Sequence, residues 1–432
     1  MSLHPGRSLT STPRGAAARA VLAGAVLCTL ASSARAQVEL RGQARPLDAE
    51  VLAVGPDGVR VKIDDGGDPA PRTIAWDRVR AVRGKWAADA SAFGDLADQL
   101  WRARARLERG DRRAAERAFE DLARTRSGLP GPSGAVLAEG LIRVRLSRGA
   151  TAQAVSAWLW WLQARAAATP RQISGWIGGT IRLPPLIDEH SGLVPRLPPI
   201  VSMADSPAGV RLMADQPASP PADAGSGVAA EIAAWYALAA RFEADPASPV
   251  ALPAARSGDD GAAMVAEIVS ARAGHADERR AARAKLLRRI AVAQVAQAEE
   301  TGTDSSASPG ASGSAAGPTA ASARWIEAWC RAGVGRSLIR ESSPAEIRQG
   351  VIEMLHVPAR FADATPELAR LALADAAVVL AALGDAQAAA TLREERLRRF
   401  GTGGGVDDEP IMDDPPPLGG DPDPDGDQEG AP

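Results

Sequence analysis

The residues best suited to chemistry are few and scattered. Asp188-Glu189-His190 is the one place where two carboxylates stand beside an imidazole, a set able in principle to move a proton or hold a cation. His275 and His356 lie far from it in sequence, each without another His or Cys nearby. A zinc site needs three or four such ligands, usually in local pairs, so no metal and no cofactor is expected. Cys330 sits beside Trp329 in an apolar stretch and reads as a small core residue. The chain shows no phosphate-binding Gly-rich loop, no nucleophile elbow and no His-Glu-x-x-His helix. The expectation is therefore a protein that is not an enzyme, with Asp188, Glu189 and His190 kept as the alternative site of an enzyme or small-ligand-binding protein.

Charge gives a second group of candidates. Arg279, Arg280, Arg283, Lys285, Arg288 and Arg289 form the densest basic run. No Phe or Tyr interleaves it, which argues against nucleic acid as partner. Helical spacing puts Lys285, Arg288 and Arg289 on one side, opposite Leu286, Leu287 and Ile290. From 401 to 432 there are 10 acidic residues and no basic one, whereas the body from Gln37 to Phe400 carries a net charge of +3. Arg288 and Arg289 are thus candidate partner-binding residues, and the acidic tail is a candidate intramolecular partner for their helix. Trp160 and Trp161 are the other candidates: bulky aromatics either line a groove for a peptide or are covered by the chain's own proline-rich segment.

The elements that must position these groups begin after an export signal. Arg7, Arg14 and Arg19 precede the apolar run from Ala20 to Leu30, and Ala34-Arg35-Ala36 follows, the order of a cleavable signal peptide over 1–36. The run is about half the roughly 20 residues a membrane-spanning helix needs. Leu27 before Cys28 is bulky where a lipid-modified signal resembles its kin in having a small residue. The expected location is therefore the periplasm or the exterior, without stable membrane insertion. Cys330 would then be alone, and stability must come from packing.

Between 37 and 84 the periodicity is two: Val59, Val61 and Ile63 alternate with Arg60, Lys62 and Asp64 after the turn Gly55-Pro56-Asp57-Gly58, and Ile74 and Trp76 share one face of a further strand. This stretch resembles a small SH3-like or Sm-like β module. From 85 to 182 the period becomes helical. Leu100 to Leu107, Gly110-Asp111, then Ala115, Phe119 and Leu122 make a helix, a turn and a helix; Ala154, Trp158 and Trp161 repeat those offsets after Gly149, and Ala389 lies five residues past Gly384. The pattern resembles tetratricopeptide-like helical repeats, although Gly110 and Gly149 are 39 residues apart where the family repeats at about 34. The resemblance implies stacked hairpins that bury apolar faces on two sides and a role in binding other proteins.

The expected fold class is mainly α: a helical-repeat body with the small β module and disordered linkers. Residues 183–227 form a Pro-rich segment and connector, 228–298 are helical, 299–322 a disordered linker, 323–400 helical and repeat-like, and 401–432 the acidic disordered tail. The expected function is an exported, non-catalytic scaffold for a protein or peptide partner, or else a structural component of the cell envelope.

Overall fold

Alternating valines and a Gly-rich turn build hairpins, and alanine-rich 3.6-residue periodicity builds helices; the chain contains both, in that order. The computed structural model describes residues 37–63, 71–166, 183–188, 191–215, 227–248, 251–253, 258–302 and 319–401. The signal-peptide reading of 1–36, Glu189 and His190, and the acidic tail beyond Gly401 lie outside the described residues. The chain divides into two compact units, Met1–Trp101 and Arg102–Pro432.

Among its described residues the first unit holds two three-stranded antiparallel sheets, in the orders β2-β1-β6 and β3-β4-β5. Their strands are β1 (Gln37–Leu40), β2 (Leu47–Asp48), β3 (Glu50–Gly55), β4 (Gly58–Lys62), β5 (Arg72–Ile74) and β6 (Val79–Val82). Val51, Val59 and Val61 are buried as the alternation requires. Val79 and Val82 are both buried too, although residues three apart in a regular strand face opposite ways. A bulge resolves this: Leu40 pairs with Val79 and Glu39 with Ala81, so Arg80 is the extra residue that turns both valines inward. Trp76 does not continue β5 as the alternation suggests. It opens a 3-10 turn, Trp76–Arg78, stacks on Phe93 at 5.1 Å and donates its indole N–H to the Gly55 carbonyl at 2.9 Å. An indole buried this deeply needs such a partner, and the turn points it there.

Among the described residues there are thirteen α-helices: α1 (Ala87–Ser91), α2 (Gly94–Glu108), α3 (Arg112–Thr125), α4 (Gly131–Ser147), α5 (Thr151–Ala166), α6 (Pro207–Ala214), α7 (Val228–Ala244), α8 (Asp260–Ala273), α9 (Ala276–Gly302), α10 (Ala320–Leu338), α11 (Pro344–Arg360), α12 (Pro366–Ala382) and α13 (Ala386–Phe400). None is long and apolar enough to cross a membrane. The protein is mainly helical with a small β region.

Three helix ends share one chemistry. After α2, α4 and α12 a glycine takes a left-handed φ: Gly110 at 83°, Gly149 at 77° and Gly384 at 88°. Its N–H bonds back to Leu107, Leu146 or Ala381, and the next residue bonds to Arg106, Arg145 or Leu380. That is a Schellman motif three times over, open to glycine because a Cβ would strain this φ. Asp111 and Asp385 then cap the following helices by accepting from Ala114 and Ala388. Five residues past each glycine stands an alanine, Ala115, Ala154 or Ala389, with no exposed surface.

The region expected to be a connector contains α6, started by Ser206, whose hydroxyl accepts from Gly209, and by Pro207 in the first turn. Val210 and Met213 bury its inner face. Helices also reach into both ends of 299–322, since α9 continues to Gly302 and α10 begins at Ala320.

Candidate functional site

The site is made by a proline-rich strap running through the helical core. From Leu183 to Val201 the strap forms no helix or strand among its described residues, yet Leu193, Val194 and Leu197 have no exposed surface. Buried coil must find donors for its carbonyls, and proline-rich backbone supplies only some, as where Asp188 donates to Leu193 and Leu197 to Val194, each at 2.8 Å. Side chains of the helices donate to others. Trp158 donates to Gly192 at 3.0 Å, Trp329 to Pro195 at 3.0 Å, Tyr236 to Leu197, and Arg336 to Val201 at 2.8 Å. Arg336 is 4% exposed and also pairs with Glu243 at 3.2 Å and Asp375 at 2.9 Å, tying α10 to α7 and α12 beneath the strap.

Helices α9 and α10 run antiparallel under this strap. Leu286 on α9 approaches Gly333 on α10, and further along Gln294 and Gln297 each donate to Glu327 at 3.0 Å, so one helix advances as the other recedes. Ala282, Leu286, Ile290 and Ala293 supply the buried stripe of α9 at helical spacing. Leu287 departs from the sequence expectation: it is 50% exposed, because that stripe leaves it on the outer side.

Between the strap, α8, α9 and the first turns of α10 lies a cleft of about 1090 Å³. Leu186, Met264, Val292, Trp325 and Ile326 give it an apolar lining, and Lys285, Arg288 and Arg289 come into it from α9. The three cations are not equivalent. Arg289 is spent on α8: its guanidinium contacts both Asp260 oxygens at 2.8 and 3.1 Å and Glu267 at 2.6 Å. Burial opposes its charge, but these two carboxylates prevail and raise its pKa further. Lys285 and Arg288 are exposed, and neither has an ion pair among the described residues. Val292, one turn beyond Arg288, is 58% exposed. The free face of α9 therefore joins two cations to an uncovered aliphatic side chain.

Asp188 reaches the same cleft in a different role. One carboxylate oxygen accepts from the Ser191 N–H at 2.8 Å and the Ser191 hydroxyl at 2.6 Å, and the other accepts from the Ser322 hydroxyl at 2.6 Å. This pins the strap to the start of α10. Glu189 and His190 lie outside the described residues, so the acid–base set proposed from sequence is represented by Asp188 alone. Among the described residues no group of three or more His, Cys, Asp and Glu side chains could hold a metal ion. Cys330 is fully buried, and burial pushes its thiol up to about 12.

Trp160 and Trp161 were candidates either to line a partner groove or to be covered by the chain itself. Trp161 is 3% exposed, and Trp160 is half-buried with its indole N–H on the Leu129 carbonyl at 3.0 Å. Helix α5 is packed on more than one side, so both rings are taken up inside the fold. The ring that the strap caps is Trp158. Trp325, Met264 and Val292 escaped sequence reasoning; the pairing of exposed-face valines, Val292 and Val295, with the basic run on α9 was the available signal. In comparisons with known proteins, no family model, no curated protein and no solved structure matches this chain.

Proposed function

We propose that the chain is an exported, non-catalytic scaffold whose helical unit binds a partner protein through the cleft beside α9. The partner contributes an extended segment in which one or two apolar side chains adjoin Asp or Glu. The observation that carries this reading is the cleft's make-up: an apolar lining of Met264, Val292 and Trp325 next to two cations, Lys285 and Arg288, that nothing described in the fold neutralises. The cleft, at about 1090 Å³, has room for an extended peptide segment. The three recurring Schellman turns with their buried alanines support reading the hairpins as divergent tetratricopeptide-like repeats, and the two short sheets support an SH3-like module. Export rests on the N-terminal sequence.

The test is a photo-crosslinking residue placed at Val292 in cells, with Ile352, 50% exposed on α11, as the control position. An adduct at 292 whose captured peptide is acidic and apolar, and which disappears when Lys285→Glu and Arg288→Glu are added, supports the reading. Equal adducts at 292 and 352, or indifference to charge reversal, would refute it.

A further inference from the structure

We propose that the chain's own acidic tail, through Asp407-Asp408-Glu409-Pro410-Ile411-Met412-Asp413-Asp414, occupies the α9 cleft in cis and competes with the partner. This rests on reading the cleft as a peptide site and adds its regulation. Three observations converge on it.

The first is chemical fit. Ile411 and Met412 are the tail's adjacent pair of large apolar residues, and acidic residues flank them on both sides. The cleft presents the complement, Val292, Met264 and Trp325 beside Lys285 and Arg288. Its own carboxylates do not oppose an acidic guest strongly: Arg289 engages Asp260 and Glu267, and three donors engage Asp188.

The second is where the tail begins. On the last turn of α13, Arg399 donates to the Pro358 carbonyl at 3.0 Å. Two residues further along α11, the Arg360 carbonyl accepts from Arg324 at 3.3 Å, and Arg324 stands on α10 between Ser322 and Trp325, which line the cleft. Two arginine side chains and two residues of backbone thus separate the root of the tail from the lip of the site. The 14 residues from Gly401 to Asp414 can span up to about 45 Å when extended.

The third is the charge asymmetry. A segment with 10 acidic residues and no basic one is attached to a body of opposite net charge. A short tether raises the local concentration of such a segment to the order of millimolar, so even a weak contact is substantially filled. A free partner must then outcompete it.

The chain supplies its own test, because Lys62, Lys85 and Lys285 are its only lysines and all three are exposed. A zero-length carbodiimide joins a lysine amine to a carboxylate it touches. Applied to the full chain, mixed from heavy- and light-isotope preparations, it should couple Lys285 to residues 407–414 about tenfold more than Lys62 or Lys85, within single isotopic copies. The adduct should fall several-fold in 1 M salt, where the screening length is about 3 Å. Ile411→Ser with Met412→Ser should weaken the Lys285 adduct and strengthen the partner adduct at position 292. Absence of a Lys285–tail adduct, equal coupling at all three lysines, or adducts only between isotopic copies would each overturn the proposal. A tail adduct without any partner adduct at 292 would sink the scaffold reading and leave the tail contact standing; the reverse result would do the opposite.

Discussion

Replacing Gly140 by alanine sets two effects of opposite sign against each other. Gly140 lies inside α4, where alanine is the better helix former by about 1 kcal/mol, so propensity alone predicts a more stable protein. Packing predicts the reverse. A Cβ at this position would stand 2.2, 2.3 and 2.6 Å from three ring carbons of Phe119 on α3, where carbon atoms ordinarily approach to about 3.5–4.0 Å. Phe119 is 1% exposed and has no free direction in which to yield. Overpacking of this kind costs roughly 1–3 kcal/mol, and an overlap of about an ångström with three atoms belongs at the upper end. The net expectation is a loss of about 2 kcal/mol, or a melting point lower by about 4–8 °C for a unit of this size. Urea and thermal unfolding followed by circular dichroism would measure it. The decisive comparison repeats Gly140→Ala in a Phe119→Leu background, where the overlap is relieved and the propensity gain should emerge. A stabilising Gly140→Ala in the wild-type chain, or the same effect in both backgrounds, would refute the reasoning that the contact of Phe119 with Gly140 fixes how α3 meets α4.

Arg336→Met should cost about 3–5 kcal/mol in urea unfolding, because Asp375 would be left as a buried carboxylate without its cation and Glu243 would keep only Arg272; a loss under about 1 kcal/mol would show that Arg336 does not hold the strap. The Arg145 guanidinium that donates to Glu120 holds this carboxyl below its usual 4.5, as Arg336 and Arg272 do for Glu243 against the opposing effect of burial. A depressed folded pKa contributes stability that is present above 4.5 and fades as pH falls through the lower folded value. Glu120→Gln should therefore narrow the stability difference between pH 7 and pH 3, and an equal loss at both would contradict it. Cys330, with its thiol raised to about 12 by burial, should resist iodoacetamide at pH 8 in the folded protein and react in urea; labelling of its peptide under native conditions would show that α10 opens.

What was legible in the sequence is what short-range periodicity dictates. Valines at every second position mark β4, and glycines with their following Asp mark the turns after α2 and α12, because these signals need only the residue and its neighbours. Helix α11 falls within the stretch 323–400 expected to be helical, although Gly350 and Pro358 stand inside it. Gly350 is there because α10 crosses closely, a Cβ at that point standing 2.7 Å from the Gly335 carbonyl oxygen. That the strap would cover tryptophans of the helical body was an expectation from the sequence, but its depth of burial was not. Proline content reports backbone preference and says nothing about burial, so Leu193, Val194 and Leu197 gave no hint that four helical side chains would donate to the carbonyls around them.

The same distinction decides which arginine of the candidate site is available. Arg288 and Arg289 are neighbours of one type, and nothing local separates them. Their difference comes from α8, which brings Asp260 and Glu267 to Arg289 across 29 and 22 residues of chain. A cation satisfied by two carboxylates gives a partner little, since binding would have to replace contacts already made. Arg288, on the solvent side of the same turn, makes no such contact and keeps its charge available alongside Lys285. The expected division of labour follows: neutralising Arg289 should loosen α9 from α8 and lower stability, whereas reversing Arg288 should leave folding alone and weaken acidic peptides at the cleft. If both substitutions weakened binding equally without touching stability, the ion pairs to Asp260 and Glu267 would not be what sets the two arginines apart.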